Sequence, residues 1–374
     1  MTKTSTAGAP VQTYDVQLLF AVLFLVGIGI VMVYSASSAL ALKKYGSDFY
    51  FLKKQAVFSL VGIIALVVCS HIPYRLYRSL TYPILFLALG LLIAVLLAGV
   101  GLEAGGSRRW IRLGPLTFQP VETARLALII FMAYSLSKKQ DGLRQFRIGF
   151  VPHVLLLLIF AVPLMLQPDF GSMVIFGALV WVMMFVAGVP VRHLLSALLL
   201  MLPLAYLLMV NATYRIKRLI SFLDPWQYPA GEGYQIIHSL MAFGTGGLWG
   251  TGIGKGYQKL FYLPEPHTDF IFAVIGEELG FWGVMGILGL YALVLWRGIR
   301  IAFRCQDEFG MLMAFGITTA IGLQVSINMG VALGLLPTKG LTLPFLSYGG
   351  TSLLLNMACI GILMNIGAVH AKKA

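Results

Sequence analysis

Ten apolar runs of 16 to 27 residues follow one another along this chain, and they leave few folds open to it. They lie near residues 16–38, 55–70, 80–100, 119–137, 150–166, 170–188, 193–210, 270–296, 310–333 and 345–367. A helix of about 20 apolar residues spans the hydrocarbon core of a bilayer. Only helices and closed barrels satisfy their backbone hydrogen bonds there. The runs are continuous and do not alternate with polar residues, so they predict helices and not barrel strands. Charged residues are 11% of the chain and mean hydropathy is +0.88, whereas a soluble domain carries roughly 25% charged residues. The reading is an all-α integral membrane protein with about ten transmembrane helices.

Residues 1–15 read as an N-terminal tail, 16–210 as helices 1 to 7, 211–269 as one long loop, 270–367 as helices 8 to 10, and 368–374 as a C-terminal tail. The first run ends in Ser35-Ala36-Ser37-Ser38-Ala39, which has the look of a cleavage site. It is long for a signal peptide and nine spans follow, so it reads as an uncleaved helix. Thirteen Lys and Arg lie on the side of the termini, against eight opposite once the long loop is set aside. Short-loop charge sets orientation, so both termini are expected in the cytoplasm and the long loop outside. The cluster Lys43, Lys44, Lys53 and Lys54 runs against that assignment. The net charge of +13 is scattered between spans with no aromatic-interleaved basic domain. It suits anionic headgroups and excludes a nucleic-acid partner. Cys69, Cys305 and Cys359 show neither CxxC nor His/Cys spacing, so no zinc site or disulfide framework is expected.

Charges in or beside a span are costly, which makes them functional candidates. The fourth run opens Gln119-Pro120-Val121-Glu122-Thr123-Ala124-Arg125. Proline fits a first helical turn, and Glu122 and Arg125 share a helix face. They form either a neutralised structural pair or a wall of a polar cavity. Upstream, Ser107-Arg108-Arg109-Trp110-Ile111-Arg112 sets three arginines around a tryptophan, as a headgroup site or an interfacial anchor. Gln167-Pro168-Asp169-Phe170-Gly171 is a tight turn whose aspartate suits an N-cap.

The long loop holds Tyr214-Arg215-Ile216-Lys217-Arg218, and seven glycines between Gly244 and Gly256. Glycine lets backbone N–H groups approach an anion. Gly254-Lys255-Gly256 lacks the Ser or Thr and the preceding strand of a nucleotide-binding P-loop. The loop closes on Leu263-Pro264-Glu265-Pro266-His267-Thr268-Asp269-Phe270, with Glu277 and Glu278 one to two turns further on. A carboxylate at the mouth of an apolar helix is poorly solvated, so its pKa rises toward that of a general base. The group equally suits helix capping or a divalent cation. Last, Leu336-Pro337-Thr338-Lys339-Gly340 through Ser347-Tyr348-Gly349-Gly350 is a Gly/Pro-broken entry into a span, of the kind tolerated where it lines a cavity.

As an ordered set these motifs resemble the SEDS family, the polytopic membrane enzymes of bacterial shape, elongation, division and sporulation. The likeness runs from the first span to the last, and Pro337-Thr338-Lys339-Gly340 is similar to the division branch or its sporulation relative. Departures are Val121 where serine is common, Arg125 for lysine, Pro266 for alanine and His238 for glutamine; none removes a carboxylate. The resemblance implies peptidoglycan glycosyltransfer in the bacterial plasma (inner) membrane, with lipid II as substrate and Asp269 as the essential aspartate and catalytic base. It implies substrate contacts from Arg109, Trp110, Glu122, Arg125, Asp169, Arg215, His267, Thr268, Lys339 and Ser347. It allows Mg or Mn at Asp269, Glu277 and Glu278, and no organic cofactor. The implied partners are a class B penicillin-binding protein, as transpeptidase, and other divisome or elongasome membrane proteins. A lipid II flippase would use similar features, although no internal repeat is seen and the carboxylates gather at one boundary, not the midplane. A non-catalytic scaffold is the third reading.

Overall fold

The structure is a computed structural model that describes residues 14–97, 101–104, 107–114, 116–210, 220–231, 233–260 and 262–371. Its helices are α1 (Val16–Tyr45), α2 (Tyr50–His71), α3 (Arg75–Ser79), α4 (Thr81–Ala94), α5 (Pro120–Lys138), α6 (Val151–Leu166), α7 (Phe170–Val186), α8 (Val191–Val210), α9 (Tyr234–Gly246), α10 (Ile271–Arg304), α11 (Glu308–Ala332) and α12 (Gly350–Ala371). Among the described residues six helical stretches are long and apolar enough to cross a bilayer: α1, α2, Phe146–Leu166, α10, α11 and α12. Thr81–Ala94 and Phe170–Val186 are apolar but shorter. Large apolar side chains such as Phe20, Phe86, Leu199 and Phe303 are more than half exposed on the outside of the bundle. In water such a surface would aggregate; in a bilayer it is the lipid-facing coat. The chain is a multi-pass membrane protein.

Local chemistry sets the helix ends. Asp15, Asp169 and Asp307 cap α1, α7 and α11 by accepting from backbone N–H groups of the first turn. Gly46, at φ 70°, closes α1. Two polar ties join α1 to α10. Asp15 pairs with Arg297 at 2.5 Å, and Ser35 donates to Glu278 at 2.7 Å. Twenty helical residues separate Asp15 from Ser35, about 30 Å of rise, which matches the thickness of a hydrocarbon core. The two ties thus stand about one hydrocarbon-core thickness apart along α1.

Several boundaries differ from the sequence reading. The first helix runs on to Tyr45, because Leu40 to Leu42 remain apolar until Gly46 stops it. Arg75–Ser79, between the second and third apolar runs, is a short helix. The last helix starts at Gly350, not 345, since Phe345 takes φ 68° and Ser347 and Tyr348 are drawn into loop contacts. The long loop contains the 13-residue α9, packed along the first turns of α10. An all-α fold also gains a small antiparallel sheet, β1 (Gly101–Ala104), β2 (Ser107–Leu113) and β3 (Leu116–Phe118), in the order β1-β2-β3. The three arginines that read as an anchor belong to its middle strand.

The most extensive helix contact is between α2 and α12. It depends on small residues that let backbones approach, as membrane helices require. A Cβ built on Gly361 would lie 2.3 Å from the carbonyl oxygen of Leu66, whereas one on Gly90 of α4 meets nothing within 4 Å. Gly361→Ala is expected to destabilise by about 1–3 kcal/mol through overpacking, with Gly90→Ala neutral or better. Melting temperatures of the two purified variants in one detergent test the contrast.

Candidate active site

Two irregular segments, 263–270 before α10 and 340–349 before α12, meet beside the N-terminal end of α10. Three successive carbonyls fasten them. Tyr348 N donates to His267 O at 2.9 Å, Ser347 Oγ to Thr268 O at 2.6 Å, and Asn328 Nδ2 of α11 to Asp269 O at 2.9 Å. Asn328 Nδ2 also donates to Leu341 O, and Ser347 Oγ accepts from Leu343 N at 2.7 Å. The backbone of Asp269 is thus fixed from both sides, while its carboxyl faces a cavity of about 620 Å³. Gly340 passes directly beneath that carboxyl, where a Cβ would stand 2.9 Å from Asp269 Oδ2.

Arg109, Trp110, Glu122, Arg125, Asp169, Thr268 and Asp269 all line this cavity, together with Tyr348 and the apolar Phe58, Ile175 and Phe176. Seven of the residues singled out in the sequence therefore converge. Burial pushes the Asp269 carboxyl up to about 7; the nearby Glu265 charge adds to the rise and Arg109 opposes it. Arg109 on β2 donates to Pro168 O at 2.6 Å and lies 3.9 Å from Asp169, which clips the sheet to the turn before α7. Asp169 is both N-cap and cavity wall, accepting from Ser172 N and from Ser172 Oγ.

Lys339 stands one residue from the cavity wall. Its stem fills the space that Gly171 leaves free, and its buried amine has no hydrogen-bond partner among the described residues. Burial holds that amine down at about 8, with Asp169 favouring the charge and Arg109 opposing it.

Deeper in the bundle Arg125 pairs with Glu122 at 2.7 Å and donates to Gln324 and, at 3.0 Å, to Asn356. Gln324 Nε2 donates on to Thr342 O at 3.0 Å, and Thr342 Oγ1 to Ser352 Oγ at 3.1 Å. The pair is thus structural and cavity wall at once, joining α5, α11 and α12. Gln324, Asn328 and Asn356 were missed by the sequence reading. Their signal was present: amides inside apolar runs, with Gln324 and Asn328 four apart on one helix face.

Other candidates lie elsewhere. His267 is buried against Phe51 and Tyr348, with ring centroids at 4.5 and 5.6 Å, and burial lowers its pKa. Ser347 acts through the loop staple described above. Arg215 lies outside the described residues. Glu277 accepts from Tyr257 N and Gln258 N. Glu278 accepts from Ser35 Oγ, Gly254 N and Lys259 Nζ, the last at 2.6 Å. The glycine-rich segment does present N–H groups to anions, and those anions are the protein's own glutamates. A Cβ on Gly256 would lie 2.7 Å from Glu277 Oε2, so glycine is required there for the approach. With both glutamates so engaged, no three His, Cys, Asp or Glu side chains among the described residues gather to hold an ion. The set Asp269, Glu277 and Glu278 does not fit a divalent cation.

Replacing Asn328 by Leu leaves the carbonyls of Asp269 and Leu341 without their donor. The expected cost is about 1–3 kcal/mol, read as a lower melting temperature and faster amide exchange confined to 263–270 and 340–349.

Comparison with known proteins places the chain in a family. The cell cycle protein family of FtsW, RodA and SpoVE matches residues 16–372. The chain is 46% identical over 356 residues to the probable peptidoglycan glycosyltransferase FtsW of Geobacter metallireducens, covering 95% of each. It is 45% identical to stage V sporulation protein E of Bacillus subtilis, over 94% of this chain and 96% of that one. Among solved structures, a peptidoglycan synthase complex described as coordinating polymerization and crosslinking contains a chain 35% identical, with TM-score 0.80 over 96% of this chain and 98% of that one. The rod shape determining protein RodA of Thermus thermophilus gives TM-score 0.71 at 33% identity, with the same coverage. With its fold, its ordered motifs and these matches in agreement, the chain belongs to the SEDS family of FtsW, RodA and SpoVE and is FtsW-like.

Proposed function

We propose that this protein is a peptidoglycan glycosyltransferase that polymerises lipid II into β-1,4 glycan strands, with Asp269 as general base. One observation carries the reading: a carboxyl raised to about 7, on an immobilised backbone, facing a cavity that also presents Arg109. A base works best when its pKa lies near the working pH. The names of the relatives, peptidoglycan glycosyltransferases and a peptidoglycan synthase complex, support the same chemistry.

In the proposed step Asp269 takes the proton of the acceptor sugar's 4-hydroxyl. The freed oxygen attacks the anomeric carbon of the donor and forms the new C–O bond. The bond from that carbon to the pyrophosphate breaks, with inversion, and undecaprenyl pyrophosphate leaves with the electron pair. The leaving group gathers negative charge, which fixed cations stabilise if they are in position beforehand. Arg109 is held by the 167–169 turn and can serve so; Lys339, buried beside Asp169, is the second cation. No step is assigned to a metal. Bacterial inner membrane as location, cytoplasmic termini, an outward-facing 211–269 loop and a class B penicillin-binding protein as transpeptidase belong to the same proposal.

Asp269→Asn is expected to lower lipid II polymerisation by about 10²–10⁴-fold, measured as glycan product from purified protein and its partner. Lipid movement without polymer would favour a flippase instead, and normal growth supported by the variant would favour a scaffold. The base must be ionised, so wild-type activity should rise with pH through about 7 and level off above it. A flat profile across that range would remove Asp269 from the role. The folded state binds this proton more tightly than the unfolded chain, so a destabilising penalty grows as pH rises from about 4 toward about 7 and is complete above it. Asp269→Asn should therefore raise the melting temperature above pH about 7 and leave it unchanged below about 4.

A further inference from the structure

Asp269 shares its cavity with a second carboxylate of the same segment. Glu265 lines that cavity four residues upstream, and the proposed step gives it no task. Its backbone is strained: φ is 49°, in the left-handed region that glycine enters freely and other residues, asparagine and aspartate apart, avoid. Pro168 and Phe345 are the other non-glycine residues with positive φ among the described residues. Both belong to segments that build the site, since Pro168 O receives Arg109 and Phe345 lies within 340–349. Such conformations persist where the surrounding structure holds them, and they collect at functional sites. Glycine would take this conformation without strain; the chain keeps a carboxylate there instead.

The turn ties Glu265 to the segment that bears Asp269. Glu265 O accepts from Thr268 N at 3.2 Å and from Phe270 N at 3.5 Å, and Thr268 Oγ1 donates to Glu265 Oε2 at 3.3 Å. Glu265 is exposed while it lines the cavity, which puts it at the opening. The site holds a conflict that this carboxylate answers. A pyrophosphate leaving group calls for cations set in place beforehand. Arg109, one of them, also favours an ionised Asp269 and so weakens it as a base. The other charged groups around the cavity are already matched. Asp169 accepts from Ser172 and faces Arg109 and Lys339, and Glu122 on α5 is paired with Arg125. His267 is packed on Phe51 and Tyr348, and burial lowers its pKa. Among the described residues Glu265 is thus the negative charge left to oppose Arg109.

We propose that Glu265 is a positioning residue that acts through Asp269: its carboxylate, presented by the strained turn, offsets the cation the leaving group needs and keeps Asp269 able to take the sugar proton. The inference rests on the polymerase reading with Asp269 as base. It adds the group that lets a base and a cation site work in one cavity.

The test measures initial rates of lipid II polymerisation, by the protein with its transpeptidase partner, along the acid limb of the pH profile. The limb is read below about 8, toward which Lys339 loses its charge. In Glu265→Gln its midpoint, about 7 in wild type, should move down by about one unit. The top of the limb should fall about three-fold, because a weaker base takes the proton more slowly. About one unit below the wild-type midpoint the variant should therefore match or exceed wild type, a crossing that general damage to the site does not produce. Glu265→Gly should shift the limb in the same way while holding or raising the melting temperature, since it removes charge and strain together. Glu265→Asp keeps the charge and should keep the wild-type midpoint. An unmoved midpoint in the Gln or the Gly variant, with wild type still rising through about 7, overturns this proposal alone. A flat wild-type profile removes Asp269 as base, and a wild-type protein that makes no glycan defeats the polymerase reading; this inference falls with either.

Discussion

An ionisable carboxyl at the mouth of a membrane helix stays dry and reactive only if the backbone bearing it cannot swing toward water. Here that restraint is three consecutive carbonyls, of His267, Thr268 and Asp269, each held by a donor from the 347–348 segment or from α11. Their hydrogen bonds leave the Asp269 carboxyl as the free part of the segment, and burial does the rest by raising its proton affinity. The cavity, the cations and the passage of Gly340 beneath the carboxyl all presuppose this fixed backbone.

The same economy governs the other charges. Glu122 and Arg125 could not be buried alone in the bundle; Gln324 and Asn356 complete the shell of Arg125 and carry its influence to the Thr342 loop. Glu277 and Glu278 are buried too, and their negative charge is met by Lys259, Ser35 and backbone N–H groups of the 254–258 segment. Buried charge in this protein is therefore of two kinds. Most of it is compensated within the fold. Among the described residues the side chains of Asp269 and Lys339, on either side of Gly340, have no hydrogen bonds of their own, which suits the proposed charged substrate.

The small sheet shows how a local pattern can hide inside a membrane sequence. Ser107 to Leu113 does not alternate cleanly, with Arg108-Arg109 and Trp110-Ile111 each running together, so no period-two pattern marks the strand and its three arginines suggest headgroups instead. Strand geometry turns Arg109 toward the 167–169 turn, and the pairing with β1 and β3 holds it there. The glycines from 244 to 256 drew a similar inference about anions. The chemistry was right and the anion was internal.

What the sequence by itself determined was the solvent. Continuous apolar runs admit only helices in a bilayer, since nothing else satisfies the backbone there, and charges spaced three or four apart on those runs had to pair or to work. Glu122 and Arg125 were legible on that ground, and Asp269, Arg109 and Asp169 as charges standing beside the spans. What tertiary structure alone decided was which carboxylates stay together. Asp269, Glu277 and Glu278 lie within ten residues, yet the helix that begins after Asp269 carries Glu278 away to α1 and Lys259, and Glu277 to the backbone of Tyr257 and Gln258. Residues as distant as 109, 169, 269 and 340 are brought to one cavity instead. Sequence proximity fixes distance along a helix, but only packing between helices fixes which faces look inward together.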